Sequence, residues 1–215
     1  MILIYRALIN IVLVLSPLII LFRIINKKED KKRFKEKLGF FSKKRNKGNL
    51  IWFHGASVGE LQSIVPILEK FQKDKKINHI LVTSNTLSSS KIISKPHLKK
   101  VIHQFFPIDA NIISKKFIDY WKPSRVFFID SEIWPNTLNN LKNKKIPITL
   151  LNARITHKTY KRWNLFPKFA HENFGKFDLC LTSSLESQKY LKNLKSSNVN
   201  DIGNLNFGQS ENENL

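Results

Sequence analysis

Leu50-Ile51-Trp52-Phe53-His54-Gly55-Ala56-Ser57-Val58-Gly59-Glu60 is the stretch on which the fold turns. Its first five residues form an apolar run closed by a histidine and read as a buried strand. Downstream, Leu61, Ile64, Val65, Leu68 and Phe71 recur at spacings of three and four, the apolar face of a helix. Strand, small-residue loop and helix start, in that order, build a ligand site at the carboxyl end of a strand in an open α/β sheet. The two glycines let a ligand approach the backbone, and the helix N-terminus offers free N–H groups. Glu60 falls on the first helical turn, where the helix dipole stabilises a carboxylate. That is also an ordinary way to begin a helix, so a function for Glu60 has to be argued from the rest of the chain. The loop contains neither Gly-x-x-x-x-Gly-Lys nor Gly-x-Gly-x-x-Gly.

Outward from this stretch the pattern alternates. Strands are expected at 50–54, 79–84, 101–106, 125–130, 146–152, 177–183 and 199–203. Helices are expected at 60–73, 109–121, 134–144, 158–174 and 184–194. Thr86-Leu87-Ser88-Ser89-Ser90 could open a short helix in the ambiguous stretch 86–98. This order predicts an α/β fold, a mostly parallel sheet with helices on both faces. With 215 residues, 42% of them hydrophobic, the chain can bury one full core. The one cysteine, Cys180, excludes an internal disulfide framework and lies in an apolar run, where core packing is its expected role.

The N-terminus reads differently. From Ala7 to Phe22 only Asn10 and Ser16 are polar, long enough for a membrane-crossing helix over 1–25. No small-x-small cleavage site follows it. The segment 26–48 then carries a run of lysines and arginines, which beside a membrane helix stay cytoplasmic. The expected localisation is therefore the cytoplasmic membrane, with the globular part facing the cytoplasm. The run should hold that part near anionic lipid or form a solvated linker. The net charge of +21 is spread along the whole chain and comes with no DNA- or RNA-binding signature, so no nucleic-acid partner is expected.

Three further loops fall at strand ends. Thr83-Ser84-Asn85-Thr86 offers hydroxyls to a phosphate or sugar, or caps a helix. Asp130-Ser131-Glu132 sets two carboxylates after an apolar strand, where acids are costly unless paired or used. Arg154, after Asn152-Ala153, is placed to pair with one of those carboxylates, locking Glu132 in place, or to hold an anion. Parallel topology gathers these loops with 55–60 on one sheet edge, which raises Glu60 above an ordinary helix start. The six histidines have no metal-ligand spacing, and Ser57 lacks a nucleophile elbow. No metal or cofactor is expected.

These residues together resemble a known family. Trp52-Phe53-His54-Gly55-Ala56-Ser57-Val58-Gly59-Glu60, Ser131-Glu132-Ile133-Trp134-Pro135-Asn136, Asn152-Ala153-Arg154 and Gly203-Asn204-Leu205 are similar, in order and spacing, to the 3-deoxy-D-manno-octulosonic acid (Kdo) transferases of lipopolysaccharide synthesis. The resemblance implies an inverting, metal-independent glycosyltransferase of the two-domain GT-B type, moving Kdo from CMP-Kdo to a lipid A precursor. It implies a Rossmann-like acceptor-binding domain over 49–207, followed here by a polar tail at 208–215 where the family continues into a donor domain. Glu60 matches the family's general base. Asp130, usually Glu in the family, and Asn206, where the family has Lys, match positions that stabilise the transition state. Ser57, Gly59, Thr83, Ser84, Glu132 and Arg154 would bind the acceptor or support the site. A separate donor-domain chain, or a non-catalytic membrane-tethered half-domain that binds lipid or a partner, are the other readings that the length and Asn206 raise.

Overall fold

The computed structural model describes residues 1–93 and 96–205. Its seven strands are β1 (Leu50–His54), β2 (His79–Ser84), β3 (Val101–Phe105), β4 (Arg125–Ile129), β5 (Ile148–Ala153), β6 (Leu179–Thr182) and β7 (Val199–Asp201). They form one sheet in the order β3-β2-β1-β4-β5-β6-β7, every neighbouring pair parallel. The helices are α1 (Ile2–Ile25), α2 (Val58–Lys73), α3 (Leu87–Ile93), α4 (Asn111–Trp121), α5 (Pro135–Asn143), α6 (His157–Asn164), α7 (Pro167–Phe174) and α8 (Leu185–Asn193).

The two faces of the sheet follow from residue alternation. Trp52, Val126 and Phe128 point into an aromatic-rich core with Phe117, Trp121, Phe174 and Phe177. Phe53, Phe127 and Ile129, one residue out of step, point into the other core with Leu61, Ile64 and Leu68. Covered on both faces, the central strands are continuous apolar runs rather than alternating ones. Truncating Trp52 or Phe128 to Ala would cost about 3–5 kcal/mol, the usual loss for a large buried aromatic. Cys180 packs in the first core, and burial pushes its thiol up to about 12.

Two expectations change. The helix foreseen over 158–174 is two helices, because Pro167 lacks a donor N–H and occupies the first turn of α7. Its predecessor Phe166 is non-helical, as residues before proline prefer. The basic segment, in turn, is not a free linker. A short 3-10 helix, Phe34–Leu38, lies against the edge strand β3. There the buried Glu36 carboxylate accepts from the Phe105 N–H at 2.7 Å and from Arg33 at 2.8 and 2.9 Å. Arg33 also donates to the His103 carbonyl at 3.0 Å. These bonds occupy a sheet edge that would otherwise be open to pairing.

α2 packs on one face of the sheet and α5 on the other. The connections therefore diverge between the neighbouring strands β1 and β4. A crevice opens at the carboxyl ends of strands where connections diverge in this way.

Candidate active site

The turn between β1 and α2 delivers Glu60 to that crevice. Ser57 is the N-cap of α2: its hydroxyl oxygen accepts from the Glu60 N–H at 3.2 Å. The Glu60 carboxylate reaches back, accepting from the Ser57 hydroxyl at 2.7 Å and the Ala56 N–H at 2.8 Å. This is a variant of the capping box, and it fixes the carboxylate at the mouth of the loop. Gly59 faces open space, since a Cβ there would meet nothing within 4 Å. Gly55 is the opposite case: a Cβ would lie 3.0 Å from Leu61 and 3.2 Å from Ile129, so the loop packs closely beneath the site.

From β4 comes Asp130, with a left-handed backbone at φ 60°. Non-glycine residues pay for this conformation, and such strain collects at functional positions. The β4–β5 pairing continues past the strand end, with Asp130 N–H to Leu151 O at 3.0 Å and Arg154 N–H to Asp130 O at 3.4 Å. That register sets Asp130 and Arg154 side by side. Among the described residues Asp130 Oδ1 is buried and has no hydrogen-bond partner. Burial, then the negative charge of Glu60, pushes the Asp130 carboxyl up to about 6 against the pull of Arg154.

Glu60, Asp130 and Arg154 line one cavity of about 170 Å³, together with Ser57, Gly59, Ser63, Asn152, Ser183 and Asn204. Past Arg154, Ser183 and Asn204 it meets a wider hollow of about 500 Å³. Asn152, also left-handed at φ 53°, accepts from the Leu205 N–H at 3.2 Å and so holds the last described segment against the cavity.

A second set of bonds carries this arrangement. His54 ends β1 with its ring buried, Nδ1 2.9 Å from Thr83 Oγ1 and Nε2 3.1 Å from Glu132 Oε2. A carboxylate requires a donor, so Nε2 bears a proton, while Nδ1 faces both the hydroxyl and, at 3.2 Å, the carbonyl of Thr83. Trp134 Nε1 donates to the same Glu132 oxygen at 2.8 Å, and Trp52 Nε1 to Thr83 at 2.9 Å. Burial works to raise the Glu132 carboxyl, but the bonds from His54 and Trp134 outweigh it and hold it low. Next in the chain, Pro135 opens α5, and the N–H groups of Asn136 and Thr137 donate to buried Asp109 at 2.9 and 2.8 Å. Asn136 also donates to the Asp109 carbonyl at 2.6 Å and accepts from Arg6 at 3.0 Å. The Ser131–Asn136 stretch is thus largely a brace for the turn that presents Asp130.

Residues 32–209 match the family described as 3-Deoxy-D-manno-octulosonic-acid transferase (kdotransferase). The chain belongs to this family of glycosyltransferases. It is 35% identical over 196 residues to a 3-deoxy-D-manno-octulosonic acid transferase of Rickettsia bellii, covering 90% of this chain and 46% of that one. It is 36% identical to a probable mitochondrial 3-deoxy-D-manno-octulosonic acid transferase of Arabidopsis thaliana, covering 74% and 36%. To the Haemophilus influenzae transferase it is 24% identical, covering 96% and 50%. The chain thus spans about half or less of the length of these relatives. In fold it is similar to a UDP-N-acetylglucosamine 2-epimerase, at TM-score 0.54 and 12% identity over 74% of this chain and 49% of that one. The same enzyme from Neisseria meningitidis, bound to UDP-GlcNAc, gives TM-score 0.54 at 15% identity over 79% and 51%.

In this Kdo transferase family member the expected residues fall into two groups. Ser57, Gly59, Glu60, Asp130 and Arg154 share the cavity. Thr83, Ser84 and Glu132 turn inward instead: Ser84 bonds His103 at 2.9 Å, and Thr83 and Glu132 bond His54. The expected lock of Arg154 on Glu132 is replaced by that of His54 and Trp134, because the turn at Asp130 sends the two carboxylates in different directions. Asn206 lies outside the described residues. Ser63, Asn152, Ser183 and Asn204 were not singled out as site residues. Ser63 lies three residues from Glu60 on the same helix face, and Ser183 follows β6 on the same edge, so both had a readable signal. Among the described residues no three His, Cys, Asp or Glu side chains group as a metal site requires.

Proposed function

We propose that this chain forms the acceptor side of an inverting, metal-independent Kdo transfer from CMP-Kdo to a lipid A precursor, with Glu60 as general base. The observation that carries this reading is the meeting of Glu60, Asp130 and Arg154 in one cavity at the divergence of β1 and β4. The acceptor hydroxyl oxygen would bond to the anomeric carbon of Kdo as the bond from that carbon to the CMP phosphate breaks. The hydroxyl proton passes to Glu60. Its bonds to Ala56 and Ser57 leave the carboxylate room for a further donor, out of roughly four acceptor directions. Being held by its own turn, it needs little reorganisation when the proton moves.

Asp130, ionised above about pH 6, supplies negative charge facing the positive charge that develops on the anomeric carbon. Arg154 offers a cation to an anionic group of donor or acceptor. The donor would be held by a second domain of the GT-B type, outside the described residues. Asn206 in place of the family's lysine removes one positive charge, worth about 100- to 1000-fold in rate at a site of this kind.

The test is incubation of the full chain with CMP-Kdo and a lipid A precursor in detergent, following both acceptor binding and Kdo-bearing product. Product formation with CMP release supports the reading. Acceptor binding without product favours a non-catalytic half, and absence of both overturns any acceptor role.

A further inference from the structure

α1 has the length and apolarity of a membrane-crossing helix. Its placement argues for another use. Residues 2, 5, 6, 9, 13, 16, 20, 23 and 24 are its less exposed positions, a stripe at spacings of three and four from one end to the other. At the N-terminal end the Tyr5 hydroxyl donates to buried Asp109 at 2.8 Å, and Arg6 donates to Asn136 at 3.0 Å. In the middle, Ser16 and Ile20 are 3% and 5% exposed. At the far end Arg23 pairs with Glu29, which also holds Lys37, and Lys37 donates to the Asn85 carbonyl after β2. Both ends are thus tied to one domain, at the edge of the sheet that carries Glu60 and Asp130.

Tyr5 and Arg23 stand about 27 Å apart along the helix, at about 1.5 Å per residue. That is close to the ~30 Å thickness of a bilayer core. A docked α1 that crossed the bilayer would carry into hydrocarbon the domain wall beside it, which includes Lys37, Asn85 and Asp109. Charged groups there cost several kcal/mol each. Undocking α1 would take Tyr5 from Asp109 and Arg6 from Asn136.

The opposite side of α1 is apolar and open, with Leu3 72%, Val14 77%, Leu18 69% and Phe22 68% exposed. Exposed basic residues follow its C-terminal end: Lys27, Lys28, Lys31 and Lys32. We propose that α1 lies in the plane of the membrane, docked on its domain along its whole length, with this open face sunk into one leaflet of an anionic bilayer. An apolar face with a cluster of cations at its end is what such a surface receives. This placement would lay the bilayer along the catalytic edge of the sheet. It replaces the crossing helix expected from composition alone, and it stands or falls independently of Glu60 chemistry.

The test uses the full chain added to sealed vesicles of phosphatidylethanolamine and phosphatidylglycerol. Buried Cys180 stays in place, and single variants Val14→Cys, Leu3→Cys and Lys28→Cys are labelled. A nitroxide at 14 should sit about 5–10 Å below the headgroup boundary. Labels at 3 and 14 should report a similar shallow depth, and the thiol at 28 should react with an impermeant maleimide added outside. A label near the bilayer centre, about 15 Å deep, overturns the proposal. So does a label at 14 that lies much deeper than one at 3, as a crossing helix would give. Failure to bind vesicles, with a dimer in solution, also overturns it, since the open face would then meet a second copy of the chain.

Discussion

Asp109 and Asp130 are aspartates at the same edge of the same sheet, and burial raises both carboxyls, yet the protein treats them in opposite ways. Asp109 is enclosed and accepts from Tyr5, from Thr137 Oγ1 and from two backbone N–H groups of α5. It caps a helix from a distance and ties down α1. Asp130 sits on a left-handed backbone, has a buried oxygen without a partner and shares a cavity with Glu60 and Arg154. A carboxylate whose acceptor sites are filled holds structure together. One kept strained, underbonded and next to a like charge adds little to that hold and stands as a candidate functional group.

Substitution at each position should separate the two. Asp109→Ala takes the acceptor from two helix N–H groups and the Tyr5 hydroxyl and should lower unfolding free energy by about 3–5 kcal/mol in a denaturant titration. Asp130→Asn should leave that titration unchanged or shift it upward, while slowing Kdo transfer about 100- to 1000-fold. A large stability loss at Asp130, or none at Asp109, would break the contrast.

The pH dependence sharpens it. The folded Asp130 carboxyl titrates near 6, above its ordinary value of 3.8. Below both values the two states carry the same proton. As pH rises, the unfolded chain ionises first, so the folded state loses stability until pH passes about 6. The stability of Asp130→Asn relative to wild type should therefore climb between about pH 4 and 6 and level off above. After solvent screening the rise should be on the order of 1 kcal/mol. A flat difference curve would deny the burial of that charge. The smallest effect belongs to Gly59→Ala. With open space at the Cβ and a helical position, it should stabilise by about 0.5–1 kcal/mol yet weaken acceptor binding by filling the cavity. Unchanged affinity would mean that no ligand approaches that backbone.

Much of this was legible in the chain. The apolar runs marked the seven strands because parallel central strands are covered on both faces, and β-α order alone brought Glu60, Asp130 and Arg154 to one edge. Pro167 already carried the break between α6 and α7. Ser57 and Glu60 stand at capping-box spacing, which made the local hold on the carboxylate readable as well. What pattern could not supply was partnership between distant side chains. Tyr5 meets Asp109 across 104 residues and His54 meets Glu132 across 78. Composition gives α1 its apolarity but not the stripe by which it docks, and that stripe depends on where Asp109 and Asn136 come to rest.

The most direct test of the central claim is the single-turnover rate of Kdo transfer by Glu60→Gln at saturating acceptor, beside its acceptor affinity. The amide keeps the shape of the side chain but takes no proton. The rate should fall by about 100- to 10,000-fold with affinity little changed. A wild-type rate in Glu60→Gln would contradict that claim and leave Glu60 as no more than the cap of its own helix.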